Sequence, residues 1–252
     1  MPLFAANLSH LWTEIPFLDR FDAAAEAGFT GVEVLFPYDT PVQETLAALR
    51  RNDLHFVLLN APPPNYTGGE RGYAAVPGLE DRFAYDLRRA IRYASALKAE
   101  NLHIMAGDAE GDAAKDTFVR NLRHAVENVP KGLRLTIEPL SQGSMPGYFL
   151  NDFDLAAEFI ETVGSDNLAL QYDTFHAQEI TGDAIGTFLA HKSMIRHIQI
   201  GDSPGRTPPG TGTIDFKVFF ATLELSSYSG WVSAEYTPTG RTEETLQWRS
   251  LA

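Results

Sequence analysis

Four oxygen-bearing side chains in the second half of the chain recur at one structural position. Glu138 follows the segment 133–137, L-R-L-T-I, in which Leu133, Leu135 and Ile137 alternate with Arg134 and Thr136. Alternation at period two marks a strand. Pro139 has no N–H and a fixed φ, so it ends the ladder and leaves Glu138 at the carboxyl end. The segments 168–173, 195–199 and 231–235 end in the same way on Asp173, Gln199 and Glu235. Taken singly, each acid could equally be a solvated strand end or a helix N-cap. Four in successive units are better read together. Three carboxylates brought close repel one another unless a cation binds them. All four side chains offer oxygen, the donor of hard divalent ions, so one metal ion is expected, Mg2+ or Mn2+ before Zn2+.

Other side chains narrow the chemistry. His176 lies three residues after Asp173, in what reads as a short loop, where it could hydrogen-bond a substrate hydroxyl or carbonyl. His103 and His197 fall within strands and read as structural, and His10, His55, His124 and His191 give no usable signal. The lysines, Lys98, Lys115, Lys131, Lys192 and Lys217, fall on helices or before strands, which argues against a Schiff-base barrel aldolase. No G-x-S-x-G occurs. With no cysteine, disulfides, thiolate metal sites and cysteine nucleophiles are excluded. The segment P-G-T-G-T at 209–213 could cradle a phosphate, but a single glycine pair reads as a loop.

The elements that must position these groups recur with a regular rhythm. Strands are expected at 3–8, 31–37, 55–61, 101–107, 133–138, 168–173, 195–200 and 231–236. Helical patterns follow at 16–28, 42–51, 80–97, 116–128, 151–163, a short stretch before Lys192, 216–225 and 243–251. Strands interleaved with helices imply a parallel sheet. Eight units in 252 residues imply an α/β fold, a single (β/α)8 TIM barrel spanning 1–252. A doubly wound open sheet would carry a glycine-rich fingerprint in its first βα turn, and 7–16 has none. In a barrel the carboxyl ends of the strands converge on one face, so Glu138, Asp173, Gln199 and Glu235 become neighbours around half the rim. The longest irregular segment, 62–79, holds three consecutive prolines and G-G-E-R-G, and long loops in compact domains are usually functional or disordered.

The formal net charge of −13 argues against nucleic acid and anionic membrane as partners, since both require basic surface. It is compatible with a small anionic substrate held by a metal ion and an arginine. The start M-P-L-F-A-A-N-L-S lacks a basic flank and reads as a strand rather than a signal peptide. No apolar run approaches the roughly 18 residues of a membrane span. Freedom from cysteine suits a cytoplasmic protein. No oligomer interface is legible, which leaves a homo-oligomer open.

Together, Glu138-Pro139, Tyr172-Asp173 with His176, His197-Ile198-Gln199, P-G-T-G-T-I and G-W-V-S-A-E-Y at 230–236 resemble the hydroxypyruvate isomerase family of xylose isomerase-like barrels. A-N-L-S at 6–9, G-V-E-V-L-F-P-Y at 31–38 and G-E-R-G at 69–72 share the resemblance, which runs from about residue 5 to about residue 248. It implies one divalent metal on Glu138, Asp173, Gln199 and Glu235. Ketose 3-epimerases of the superfamily usually carry histidine in place of Gln199, so the glutamine favours the isomerase branch. It implies Glu138 and Glu235 as the proton-transfer pair and His176 and Arg206 as substrate contacts. The expected reaction is aldose–ketose isomerisation of hydroxypyruvate to tartronate semialdehyde, or the same change on a 2-oxo-tetronate, with a ketose 3-epimerase as the rival. Arg206 is the first candidate for the substrate carboxylate because a guanidinium binds carboxylate bidentately. Arg71 is the second, and Glu70 would accompany it if the 62–79 loop closes as a lid. Trp12, Phe36 and Tyr38 are candidate pocket walls.

Overall fold

The structure, a computed structural model, describes residues 3–62 and 72–252. Its strands are β1 (Leu3–Asn7), β2 (Gly31–Glu33), β3 (His55–Phe56), β4 (Leu58–Ala61), β5 (Asn101–Ile104), β6 (Arg134–Ile137), β7 (Leu168–Asp173), β8 (Ile195–Ile200) and β9 (Trp231–Ala234). All pairings between them are parallel, in the order β3-β2-β1-β9-β8-β7-β6-β5-β4. The two ends of that order, β3 and β4, are one physical strand interrupted at Val57. Val57 donates back to Val32 O of β2 at 2.8 Å, and Asn101 donates to Val57 O at 2.9 Å from the other side. The nine segments are therefore the eight expected strand positions of a closed TIM barrel.

Each strand has two faces with different tasks. Leu135, Ile137, Leu170, Tyr172, Ile198, Ile200, Val232 and Ala234 are buried in one continuous core with Phe83, Leu87, Phe118, Phe159, Phe188 and Phe219 of the surrounding helices. The apolar alternation at 133–137 thus faces the helix layer. The intervening residues, Thr136, Gln171, His197 and Gln199, point into the barrel, where Gln199 and His197 of β8 bond to Glu33 of β2 across the lumen. The amino-terminal end of the lumen is plugged by Trp231 with Ala5, Val57 and Leu58. Gly31 permits the plug, since a Cβ there would lie 2.5 Å from the Trp231 ring.

The helices are α1 (Asp19–Glu26), α2 (Val42–Arg51), α3 (Glu80–Leu97), α4 (Gly111–Asn128), α5 (Phe153–Val163), α6 (Thr174–Thr181), α7 (Ala184–His191) and α8 (Phe216–Leu225), with a 3-10 segment at Thr242–Leu251. Four sequence expectations need correction. The residues after Asp173 form helix α6 rather than a loop, because the Asp173 side chain caps it by accepting from Phe175 N. Helix α4 starts at Gly111, five residues before the expected 116. Strand β2 ends at Glu33, four residues short of Pro37. The final helix is 3-10. Among the described residues no helix is long and apolar enough to cross a membrane.

Candidate active site

Glu138 follows β6, Asp173 ends β7, Gln199 lies near the end of β8 and Glu235 follows β9, so the four expected ligands share the carboxyl-terminal rim. All four are buried. They are linked by hydrogen bonds rather than merely adjacent. Gln171 Nε2 donates to Glu138 Oε2 at 2.9 Å and to Gln199 Oε1 at 2.8 Å. Gln199 Nε2 donates in turn to Glu235 Oε2. A cavity of about 420 Å3 opens over this group, lined among others by Glu138, His176, Gln199, Arg206 and Glu235.

Arg206 reaches the cluster from the loop after β8. Its guanidinium pairs with Glu235 Oε1 and with Asp173 Oδ2, the latter at 2.7 Å, and lies 5.0 Å from the Phe175 ring centroid. The loop carrying it is built around Asp202. Asp202 Oδ1 accepts from Ser203 N and Ile214 N, and Oδ2 accepts from Gly210 N and Gly212 N, all at 2.8–3.0 Å. The P-G-T-G-T segment is therefore a cradle for the chain's own carboxylate. Gly212 is needed for it, as a Cβ would lie 2.3 Å from Ser203 O and 2.5 Å from Asp202 Oδ1.

His176 sits in the first turn of α6, where its Nδ1 accepts from Ser141 N at 3.0 Å. A backbone amide and a guanidinium can both only donate, and Arg206 Nη2 lies 2.6 Å from Nε2, so Ser141 and Arg206 compete for the one accepting nitrogen of a neutral ring. Glu138, Asp173 and His176 each offer one atom within 4.8 Å of the others, the spacing of a metal-binding group. With Ser141 N at Nδ1 and Arg206 at Nε2, both ring nitrogens already face donors, so His176 is better suited to a hydrogen bond with a substrate oxygen than to a metal.

The electrostatics separate the acids. Burial, followed by the charges of Asp173 and Glu235, pushes the Glu138 carboxyl well above the usual range. Burial also raises Asp173, to about 7, against the pull of Arg206. Burial acts on Glu235 too, but Arg206 and His10 outweigh it and hold that carboxyl low. One guanidinium for three buried carboxylates leaves negative charge that a divalent cation would relieve, and the donors are the hard oxygens such an ion takes. The residues present fit a divalent metal.

Several groups at the site had not been singled out in the sequence. Glu33 is fully buried and accepts from Asn7 Nδ2 at 2.8 Å, Gln199 Nε2 at 2.8 Å and His197 Nε2 at 2.7 Å. Burial raises its pKa, against the opposing effect of His197. His10 lies 3.7 Å from Glu235, and burial lowers its pKa. His103 lines the cavity, 3.6 Å from Glu138, with burial lowering its pKa to about 3. Of the aromatic walls, Phe36 lines the cavity, whereas Trp12 is packed in the core and donates to Glu243, and Tyr38 donates to Asn60 O. Glu70 and Arg71 lie outside the described residues.

Residues 21–250 match the family model described as xylose isomerase-like TIM barrel. The hydroxypyruvate isomerase of Escherichia coli K12 is 40% identical over 250 residues, covering 97% of each chain. The 2-oxo-tetronate isomerase of Pectobacterium atrosepticum is 41% identical over 253 residues, covering 98% of this chain and 97% of its own. A crystal structure from Brucella melitensis, called an AP endonuclease of family 2, superposes with a TM-score of 0.95 at 41% identity, covering 99% of this chain and 98% of that one. A family match across most of the chain, and relatives at about 40% identity over nearly its full length, settle the affiliation: the chain belongs to the xylose isomerase-like TIM barrel family, alongside the hydroxypyruvate and 2-oxo-tetronate isomerases.

Proposed function

We propose that the chain is an aldose–ketose isomerase that interconverts hydroxypyruvate and tartronate semialdehyde (2-hydroxy-3-oxopropanoate). The observation that carries this reading is the pair Glu138 and Glu235, two buried carboxylates that line one cavity and are joined through Gln171 and Gln199. In the proposed reaction one proton leaves C3, one arrives at C2, and one moves from the C3 oxygen to the C2 oxygen. Glu138 and Glu235 act as the proton-transfer pair.

A divalent ion, Mg2+ or Mn2+ by its oxygen donors, is proposed on Glu138, Asp173, Gln199 and Glu235. When bound, it supplies Lewis-acid polarisation of the substrate oxygens. His176 hydrogen-bonds a substrate oxygen once Arg206 turns to the substrate carboxylate. Arg206 receives the substrate carboxylate, which requires its release from at least one of Asp173 and Glu235. Glu70 and Arg71 are proposed as contacts from the 62–79 loop. The substrate is a small anionic 2-oxo acid, and a cysteine-free single-domain chain suits the cytoplasm.

The relatives named 2-oxo-tetronate isomerase favour one second reading, the same isomerisation on a four-carbon acid. The name of the Brucella structure raises a nuclease, but a net charge of −13 and a rim of carboxylates and one glutamine are poorly suited to a polyanion. The test is a panel of kcat/KM values for the Mg2+- or Mn2+-loaded protein on hydroxypyruvate, 2-oxo-tetronates, fructose and tagatose. Turnover of the 2-oxo acids is expected. Turnover confined to the neutral ketoses would replace this reading with a 3-epimerase.

A further inference from the structure

The lumen below the rim holds a directional hydrogen-bond network with a fully buried carboxylate at its centre. Ser9 N donates to Asn7 Oδ1 at 2.9 Å, which leaves Asn7 Nδ2 to donate to Glu33 Oε1 at 2.8 Å and to Glu235 Oε2 at 2.7 Å. His197 Nε2 meets Glu33 Oε2 at 2.7 Å, and since a carboxylate oxygen accepts, the ring donates through Nε2. Gln199 Nε2 meets Glu33 Oε1 at 2.8 Å. Glu33 thus faces three N–H donors, as an ionised, acceptor-only carboxylate requires.

This arrangement decides which way the Gln199 amide faces. An amide has one accepting and one donating end, and only the oxygen can serve a cation. Nε2 donates to Glu33 Oε1 and to Glu235 Oε2, and of these two acceptors only Glu33 is not itself a proposed metal ligand; Oε1 turns to the opposite side, where Gln171 Nε2 bridges it to Glu138 Oε2. Gln171 is oriented in its turn by Thr136 Oγ1, 2.9 Å from Gln171 Oε1. Each of these amides has its polarity fixed by a neighbour, and the sequence of contacts leads back to Glu33.

We propose that Glu33, which touches no reacting atom, is a positioning residue that holds the oxygen of Gln199 toward the metal site by accepting from its nitrogen. This rests on the reading of Gln199 as a ligand. In Glu33→Gln, with His197 still donating through Nε2, the new amide oxygen serves His197 and its NH2 faces the Gln199 and Asn7 donors. Gln199 relieves the clash by turning over and presenting NH2 to the cation. Exchanging the two residues in Glu33→Gln/Gln199→Glu restores a donor facing an acceptor and keeps an oxygen at position 199.

The test is Mn2+ affinity of the full chain, measured by EPR on folded protein, for Gln199→Ala, Glu33→Gln and the exchanged pair. Loss of a partner that orients a ligand typically costs about 10- to 100-fold in metal affinity. A loss in that range is expected for Glu33→Gln, with most of it regained in the exchanged pair. Affinity of Glu33→Gln within about twofold of the parent, while Gln199→Ala binds weakly, overturns the role of Glu33 and leaves the ligand reading standing. Unchanged affinity in Gln199→Ala overturns the ligand reading and this inference with it. If Glu33→Gln does not fold, the unmutated Mg2+-loaded protein decides. Its Gln199 side-chain amide protons should exchange slowly with solvent, and exchange as fast as that of the exposed Gln43 overturns the proposal.

Discussion

Asp202 and Arg206 stand four residues apart, and the first builds the loop from which the second reaches the cavity. Asp202 gathers four backbone N–H groups, and its own backbone N–H and C=O exchange hydrogen bonds with those of Thr207 at 2.8 and 3.1 Å. Arg206, between them, adopts a left-handed backbone with φ of 53°. A non-glycine residue in that region costs on the order of 1–3 kcal/mol and persists only where its surroundings hold it. Asp202→Ala should therefore release Arg206 and strand four amides. We expect a loss of roughly 1–3 kcal/mol in stability for each amide left without a partner and a fall in kcat/KM larger than any fall in metal affinity. Denaturant unfolding and steady-state kinetics check this. Unchanged kinetics in a folded variant would detach the loop from the site.

Arg206→Ala separates two uses of one cation. Its loss should raise KM for a 2-oxo acid by roughly 10- to 100-fold, the worth of a hydrogen bond to a charged group. It should also tighten Mn2+ binding, since Asp173 and Glu235 lose the guanidinium they now hold. Calorimetric metal titration and a KM measurement report the two effects independently. Weaker Mn2+ binding would mean that Arg206 supports the metal site rather than competing for its oxygens.

The raised carboxyls carry a pH signature. The Asp173 carboxyl is raised from an ordinary 3.8 to about 7, so its contribution to stability is complete below its ordinary value and is lost as pH rises through about 7. Glu138 acts in the same direction. The lowered Glu235 acts oppositely, but only below its ordinary 4.5. The chelated protein should therefore lose Tm between about pH 5 and about pH 8, by roughly 2–4 °C for each kcal/mol. Added Mg2+ should restore more at the higher pH. Asp173→Asn should flatten the profile. A Tm that rises across this window in the chelated protein would contradict the charge assignment.

Glu138 was legible in the sequence because Pro139 fixes where its strand stops, and Asp173, Gln199 and Glu235 because their strands share the same period. Glu33 was not, because the apolar run continues to Pro37 and hides a strand that stops pairing with β1 at Glu33 itself. Helix α6 was hidden by its brevity, eight residues whose start depends on Asp173 acting as both strand end and cap. His103 and His197 were read as structural because strand position alone gives no indication of a partner. His197 meets Glu33 only because β2 and β8 face each other across a closed barrel, a relation between residues 164 apart in sequence. The P-G-T-G-T segment was correctly read as a loop, but what it encloses depends on Asp202, which no local pattern marks.

In the proposed reaction Glu138 and Glu235 move a carbon-bound proton. The most direct measurement is deuterium incorporation during turnover of hydroxypyruvate in D2O by metal-loaded protein, followed by NMR, with Glu138→Gln and Glu235→Gln alongside. Deuterium is expected at C2 of the product from the parent chain. A fall of roughly 100-fold or more is expected in each variant, the scale of losing general acid–base catalysis. Product free of carbon-bound deuterium would point to hydride transfer, and full exchange in both variants would place the proton-transfer groups elsewhere. Either result would overturn the Glu138–Glu235 proton-transfer pair.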